Sequence, residues 1–512
     1  MKQLTQRLVK ILYLPLHPFL FAIYPILFIY SNNLNDIFLK EIISPIFISL
    51  GTTIFVFYTI KFILKDIYKS TLLTSVALII FFSFGHLFNL VNGLRIGQLV
   101  IGPNKFILFM AVLSSIILFI IIRLKTNLKV LAKYLNIVVL VLILLSVTSI
   151  GINASNNSLR VSDIQTVTRS RNEDKSKVMS KTDDKHPDIY YIMLDGYGSQ
   201  NSLQKTYKFD NSGFINFLKQ SGFYVANKSH SNYTLTPVSL ASSLNMRYLD
   251  DIANMKSSEL EKRLTAIEIL RNNEVAKFFK SKGYKFVNIG SSWGVTSENP
   301  YADLVYRYKA RSEFAKILYQ TTALVLLETR DFFHADSVLF AFDKVKDIPK
   351  LNEPTFTFVH IVSPHPPYVF DQDGNKLKTY DKRFDKPDSW YNEEAYINQL
   401  IFVNKKVKEA VSTILSKSKI PPIIIIQSDH GPGSVAQIEQ VSKERFELKT
   451  GILNAYYLPN GGDKIMYQSI SPVNSFRKIF NYYFNQTYPL LPDESNFSEY
   501  KSYFVFIKSP TK

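Results

Sequence analysis

Apolar residues are spread unevenly along this chain. The first 152 residues carry most of the long apolar runs, and the remainder alternates short apolar runs with helical patterns. Five N-terminal runs, at about 8–30, 42–64, 71–92, 104–123 and 134–152, approach the roughly 20 residues that an α-helix needs to cross a bilayer. They predict five transmembrane helices. The first contains Pro15, Pro18 and Pro25, which predicts a kink of the kind that membrane helices tolerate. It lacks the polar region and small-residue cleavage site of a secretory signal, so it reads as an anchor.

Residues 153–186 are polar, mixed in charge and free of aromatics, which predicts a linker. Beyond them the runs shorten. Ile189–Leu194 is apolar and ends in Asp195; four isoleucines at 423–426 follow Pro421-Pro422 and lead into Gln427-Ser428-Asp429-His430-Gly431. Such runs predict strands buried on both faces, which belong to parallel sheets covered by helices. Further strands are expected at 284–290, 355–364 and 451–459, with helices at 212–222, 274–283, 396–418 and 471–484. The alternation defines an α/β domain with a mostly parallel sheet. The chain thus reads as an α-helical membrane domain over 1–152, a polar linker over 153–186 and an α/β domain over 187–512.

Lysine and arginine set the expected orientation. The N-terminal tail and the loops after the second and fourth helices hold ten positive residues; the opposite loops hold three, Lys40, Arg95 and Lys105. That bias predicts a cytoplasmic N-terminus, and five crossings place the α/β domain outside a cell membrane. The formal charge of +18 shrinks once divided. Residues 1–152 hold 13 Lys and Arg against three Asp and Glu, whereas the chain after residue 186 holds 40 against 34. The outer domain is only mildly basic and has no basic stripe with interleaved aromatics, so no nucleic-acid partner is expected. A mildly positive field beside a bilayer suits anionic lipid headgroups. The absence of cysteine excludes thiol chemistry and zinc–thiolate sites.

Two of the predicted strands end near an acid at the carboxyl tip, where open α/β folds bind their ligands. Asp429-His430 there reads either as a donor pair for a divalent metal or as a turn aspartate with a capping histidine. Thr236 precedes Pro237 and an apolar, small-residue helix, which makes it the natural N-cap. A helix N-terminus also attracts phosphate. A threonine hydroxyl in that place attacks phosphorus once a divalent cation lowers its pKa. Asp195, Asp429 and His430 are the ligands on offer.

Four segments, YYIMLDGYG (190–198), TPVSLASSL (236–244), HIVSPHPPY (360–368) and IIIIQSDHG (423–431), resemble in this order the alkaline phosphatase superfamily. More narrowly they resemble its membrane-anchored, sulfatase-like branch: lipoteichoic acid synthases, phosphoglycerol transferases and phosphoethanolamine transferases. The resemblance covers about residues 187–510, and the helical anchor matches that branch as well. It implies an alkaline phosphatase/sulfatase-like core that holds one divalent ion, Zn or Mn. Asp195 stands at its first acidic ligand, Thr236 at the metal-bound nucleophile, and Asp429 and His430 at the remaining ligands. His365 stands at a histidine that contacts the substrate phosphoryl group or protonates the leaving oxygen; His360 is expected to be structural. Trp293 corresponds to a substrate-binding tryptophan of lipoteichoic acid synthases, although the histidine and arginine of that loop have no evident counterpart in GSSWGVTSENP (290–300).

Formylglycine sulfatases need Cys or Ser in a C/S-x-P-x-R motif, and TPVSL has neither that residue nor the arginine. Two-metal phosphatases need several histidines as ligands, and none of the histidines here forms a DxxxH pairing, so one metal fits better. The implied activity is transfer of a phospholipid headgroup, phosphoglycerol or phosphoethanolamine, onto an envelope glycan or lipid through a threonine-bound intermediate. Hydrolysis of a phosphate ester at the same site shares the first half-reaction and remains open. A non-catalytic membrane scaffold would be expected to lack one of the four ligands, and all four are present.

Overall fold

The structure is a computed structural model that describes residues 13–33, 39–91, 95–96, 99–100, 102–169, 186–291, 293–308, 313–330, 333–377, 390, 392–433, 441–499 and 502–508. Two compact units divide the chain: residues 1–181 with 311–331, and residues 182–310 with 332–512.

The first unit contains helices α1 (His17–Asn32), α2 (Leu39–Leu64), α3 (Ile67–Val91), α4 (Pro103–Arg123) and α5 (Lys129–Arg169). Among the described residues, four of these are long and apolar enough to cross a membrane, over Glu41–Leu64, Ile67–Phe88, Asn104–Arg123 and Lys129–Ile152. The expected count of five is therefore corrected. Among the described residues the first run contributes 16 helical residues, His17–Asn32, about 24 Å of helix against a hydrocarbon core of about 30 Å. Pro18 lies in the first turn of α1, where proline is tolerated; residues 1–12 lie outside the described residues.

The segment expected as a linker is helical at its start. Helix α5 runs on from the apolar stretch to Arg169. No glycine or proline interrupts residues 153–169, and a polar helix needs no change in its backbone bonding. The rest of the linker, 170–185, lies outside the described residues.

A segment far along the chain completes this unit. Helix Glu313–Thr321 and the 3-10 turn Ala323–Arg330 follow the strand Leu304–Tyr306 in sequence, yet they pack on the N-terminal helices. Phe314 is buried with Ile26, Ile29, Tyr30 and Ile42, and Val325 with Phe84, Phe88, Phe106 and Met110. Gly85 permits the contact, because a Cβ there would lie 2.2 Å from the Gln320 carbonyl oxygen.

The second unit is built on a seven-stranded sheet. Its strands are β1 (Ile189–Leu194), β2 (Phe223–Val225), β3 (Lys285–Ile289), β4 (Leu304–Tyr306), β5 (Thr355–Ile361), β6 (Ile423–Gln427) and β7 (Asn454–Tyr457). They lie in the order β2-β7-β6-β1-β5-β3-β4. Strands β6, β1, β5, β3 and β4 are mutually parallel, and β7 runs antiparallel to both β6 and β2. The mostly parallel α/β domain is thus as expected, with two short strands, β2 and β4, that lack a distinct apolar run.

Apolar cores cover both faces of the sheet. On one face Tyr191, Met193, Phe356, Phe358 and Ile425 meet α6 (Thr236–Asn245) and Phe476, Ile479 and Phe480. On the other, Tyr190, Ile192, Val359, Ile424 and Ile426 meet α7 (Glu393–Lys417) through Tyr396, Leu400 and Val403. Each buried side chain of this size contributes about 1.5–3 kcal/mol, which is why four consecutive isoleucines hold a strand here. The β1 register pairs Met193 with Gln427 on one side and His360 on the other, and Leu194 with Ile361. Asp195, one residue past β1 and in phase with Met193, turns toward the face that α6 covers.

Candidate active site

Three strand ends and one helix start converge at the carboxyl edge of the sheet. Asp195 follows β1, Asp429-His430 follows β6, His360 and His365 lie at and beyond the end of β5, and Thr236 opens α6. Thr236 is the first helical residue rather than the N-cap; Leu235 occupies that position. The Thr236 hydroxyl therefore caps nothing and lies 3.4 Å from His430 Nε2.

The turns are fixed by short polar links. Ser239 Oγ donates to the Asp429 carbonyl at 2.6 Å. Ser428 Oγ accepts the Tyr197 N–H at 2.8 Å and donates to the His430 carbonyl at 2.7 Å. Asp429 Oδ1 accepts the Gly196 N–H at 3.2 Å. Gly196 has φ +72°, a left-handed conformation open to glycine. Gly431 is required for a different reason: a Cβ there would lie 2.0 Å from the Leu448 carbonyl oxygen.

The donor atoms left over form a cluster. Asp195 Oδ1 and Asp429 Oδ2 are buried and without a hydrogen-bond partner among the described residues, and the nearest group to the buried His360 Nε2 is Asp195 Oδ2 at 3.3 Å. His430 Nε2 lies 3.6 Å from Asp195 Oδ1 and 3.5 Å from Asp429 Oδ2. With the 3.4 Å to Thr236 Oγ1, these separations match the edge of about 3.4 Å between ligands of a tetrahedral ion bound at about 2.1 Å. Two carboxylates, a neutral imidazole and a hydroxyl balance a divalent charge. The residues present fit a divalent metal, which Asp195, Thr236, Asp429 and His430 would hold.

Electrostatics agree with this fit. Burial alone would raise both carboxyls; around Asp195 the neighbouring histidines, His365 foremost, outweigh burial and hold it below the usual carboxylate range. Asp429 is pushed up to about 6 by burial and by the charge of Asp195. Burial, then Lys449, holds His430 well below the usual histidine range, in the neutral form that ligates metals.

His365 completes the site. One of its ring nitrogens lies within 4.8 Å of donor atoms of both Asp195 and His430. Its Nδ1 donates to the Pro366 carbonyl at 2.5 Å, which leaves Nε2 for a substrate. Trp293 is half-buried, with its ring edge-on to His360 at 6.0 Å. The structure thus brings together Asp195, Thr236, His365, Asp429 and His430, and sets Trp293 one residue behind them.

Two further residues belong to the site and carry no signal in the sequence. Trp390 packs against His365, ring centroids 4.8 Å apart, and its ring also faces Gly196. Lys449, buried in α8 (Lys443–Thr450), places Nζ 5.0 Å over the Trp390 ring, 3.2 Å from His430 Nδ1 and 2.9 Å from the Gly433 carbonyl. Burial lowers its ammonium to about 8. Both are reached through tertiary folding alone.

A mostly parallel α/β sheet with an Asp/His cluster and a free threonine hydroxyl at its carboxyl edge defines an enzyme of phosphate or sulfate esters, here on a chain with apolar helices long enough to cross a membrane. The sulfatase family model matches residues 187–474, and the chain belongs to that family. Among solved structures it is similar to the C-terminal periplasmic domain of EcEptC from Escherichia coli in complex with Zn, at 13% identity over 59% of this chain and 84% of that one, with a TM-score of 0.39. It is also similar to the integral membrane protein lipooligosaccharide phosphoethanolamine transferase A from Neisseria meningitidis, at 12% identity over 91% and 93% of the two chains, with a TM-score of 0.38. No curated protein matches the chain.

Proposed function

We propose that this protein is a metal-dependent transferase. It moves the headgroup of a membrane phospholipid, phosphoglycerol or phosphoethanolamine, onto a glycan or lipid acceptor on the outer side of the cytoplasmic membrane. One observation carries the reading: the uncapped Thr236 hydroxyl lies 3.4 Å from His430 Nε2, within a cluster of partnerless carboxylate oxygens. Zn²⁺ or Mn²⁺ bound there lowers the pKa of the hydroxyl and draws charge from the phosphoryl oxygens.

The residues then act in turn. Thr236 Oγ forms a bond to phosphorus as the bond from phosphorus to the lipid glycerol oxygen breaks. The departing oxygen takes a proton from His365 Nε2, and diacylglycerol leaves. His365 takes a proton from the acceptor hydroxyl, whose oxygen displaces Thr236 from phosphorus. The free N–H groups at the start of α6 face the charge that develops on the phosphoryl oxygens. Within the family, threonine at the nucleophile position and the absence of cysteine argue for phosphate over sulfate esters, because formylglycine cannot form. The apolar helices support a lipid donor, and the lysines and arginines at the α2–α3 and α4–α5 junctions support a cytoplasmic face for those loops, so that the last span ends on the outer side.

Intact mass of the detergent-purified protein tests this directly. After incubation with phosphatidylglycerol, phosphatidylethanolamine and Mn²⁺ or Zn²⁺, an adduct is expected on the wild type and not on Thr236→Ala, and its mass names the group. Free headgroup phosphate without any adduct or acceptor product would overturn transfer in favour of hydrolysis.

A further inference from the structure

His360 is fully buried at the end of β5 and takes no part in the steps above. Its environment is nevertheless highly ordered. Nδ1 lies 2.7 Å from Thr296 Oγ1, which lies 2.8 Å from Ser291 Oγ, and Ser291 Oγ accepts the Trp293 N–H at 3.0 Å. On the opposite side of the ring, Nε2 lies 3.3 Å from Asp195 Oδ2. The other oxygen of that carboxylate, Oδ1, faces His430 Nε2 at 3.6 Å. Asp195 is thus divided between two neighbours, with one oxygen toward the metal cluster and one toward His360.

Ser291 Oγ accepts the Trp293 N–H, and its own proton has two acceptors in reach, Thr296 Oγ1 at 2.8 Å and the Trp293 carbonyl at 3.2 Å. On the shorter link Ser291 gives its proton to Thr296. Thr296 then gives its proton to His360 Nδ1. A neutral imidazole that accepts at Nδ1 carries its proton on Nε2, facing Asp195. The reverse tautomer would turn a lone pair toward a buried carboxylate oxygen, and an unsatisfied buried polar group costs about 1–3 kcal/mol.

We propose that His360 is a positioning residue for the metal site. It donates Nε2–H to Asp195 Oδ2, selects Oδ1 as the oxygen offered to the ion, and ties that choice through Thr296 and Ser291 to the loop that carries Trp293. The inference rests on the proposed metal site. It makes metal affinity depend on loop side chains that never touch the ion. Hydrogen-bond partners of ligands in metal sites generally act this way, and their loss costs 10–100-fold in affinity.

The experiment measures Zn²⁺ affinity by chelator competition on the metal-stripped full-length protein in detergent, with Co²⁺ absorption as a second readout. Compared are wild type, His360→Phe, His360→Gln and Thr296→Val. His360→Phe is expected to weaken Zn²⁺ binding about 10–100-fold. His360→Gln, whose amide N–H reaches the place of Nε2–H, should restore most of that loss. Thr296→Val should lose affinity in the same direction by a smaller factor. The Co²⁺ bands should keep their positions throughout, because the donor set is unchanged.

Affinity of folded His360→Phe within about threefold of wild type would overturn the proposal. So would Co²⁺ bands that move in His360→Gln, which would make His360 a ligand. If His360→Phe does not fold, Thr296→Val decides, and an unchanged affinity there overturns the inference. A wild type that fails to bind Zn²⁺ removes the metal reading itself, a result distinct from wild-type binding with unaffected variants.

Discussion

Ser239 donates its hydroxyl to the main-chain carbonyl of Asp429 across 2.6 Å. It thereby joins the helix that opens with Thr236 to the turn that carries two of the proposed ligands. Residues three apart share a helix face, so this bond sets where the proposed nucleophile stands. Ser239→Ala should cost about 1–3 kcal/mol, the price of a buried carbonyl left unpaired. It should also slow transfer by up to about 100-fold, the usual effect of a misplacement near 1 Å. Thermal unfolding and product formation, measured together, check this. A lower melting temperature with an unchanged rate would mean that the bond serves only the fold.

Thr236→Ala should reduce turnover by about 10⁴-fold or more, in the range seen when a covalent nucleophile is removed. Thr236→Ser should keep a measurable fraction, since the hydroxyl remains. The Thr236 hydroxyl caps no helix, so both variants should unfold within about 1 kcal/mol of wild type. Initial rates with calorimetry on the same samples settle the comparison.

Metal binding should depend on pH through Asp429. Its carboxyl is pushed up to about 6, so above that pH it is already ionised and affinity should be flat. Below about 6 a proton must leave before the ion binds, and affinity should fall about tenfold per unit. His430, held neutral by burial and by Lys449, adds nothing in this window. In the metal-free protein the same shift acts on stability with the opposite sense. The folded state holds the Asp429 proton more tightly than the unfolded chain, so this stabilisation is complete below about pH 4 and is lost as pH rises through about 6. Chelator competition from pH 7 to 5 tests the first statement; a profile flat to pH 5 would contradict it.

Two glycines in the membrane helices should behave oppositely. A Cβ at Gly85 would lie 2.2 Å from the Gln320 carbonyl oxygen, whereas one at Gly51 meets nothing within 4 Å. Gly85→Leu should destabilise the first unit by about 1–3 kcal/mol through overpacking. Gly51→Leu should be neutral or better, since leucine is the stronger helix former. Thermal unfolding in detergent separates the two, and equal effects would argue against docking of the 313–330 segment.

The parts of the site that lie at strand ends were legible, because a buried strand announces itself locally and its last residue follows by counting. Asp195 and Asp429-His430 were found in this way, and Thr236 came from the Thr-Pro start of a helix. The same local logic misplaced the threonine by one position: Leu235 is the N-cap, which frees the hydroxyl for the cluster. Lys449 and Trp390 were out of reach, since a lone lysine in a charged helix and a lone tryptophan look like surface residues until folding buries them. His360 was read as structural from its place in a strand; only the 3.3 Å approach to Asp195 gives it a further part. The segment 313–330 was passed over for a related reason. Its apolar residues are mixed with Lys316, Gln320 and Glu328, and the surface they bury lies on helices more than two hundred positions earlier.

That segment has a consequence for how the protein comes apart. The polypeptide leaves the first unit after residue 181, returns to it at residue 311, and departs again after residue 331. The chain thus crosses between the units three times, so a protease that cut within residues 170–185 would leave two crossings intact, and the enzyme would stay moored by Phe314 and Val325. Shedding a soluble enzyme from the membrane would take more, either cuts on both sides of residues 311–331 or the extraction of those side chains from their neighbours. A polypeptide that began at Pro187 would carry the same residues uncovered, as a sticky apolar strip that seeks detergent, lipid or its own kind.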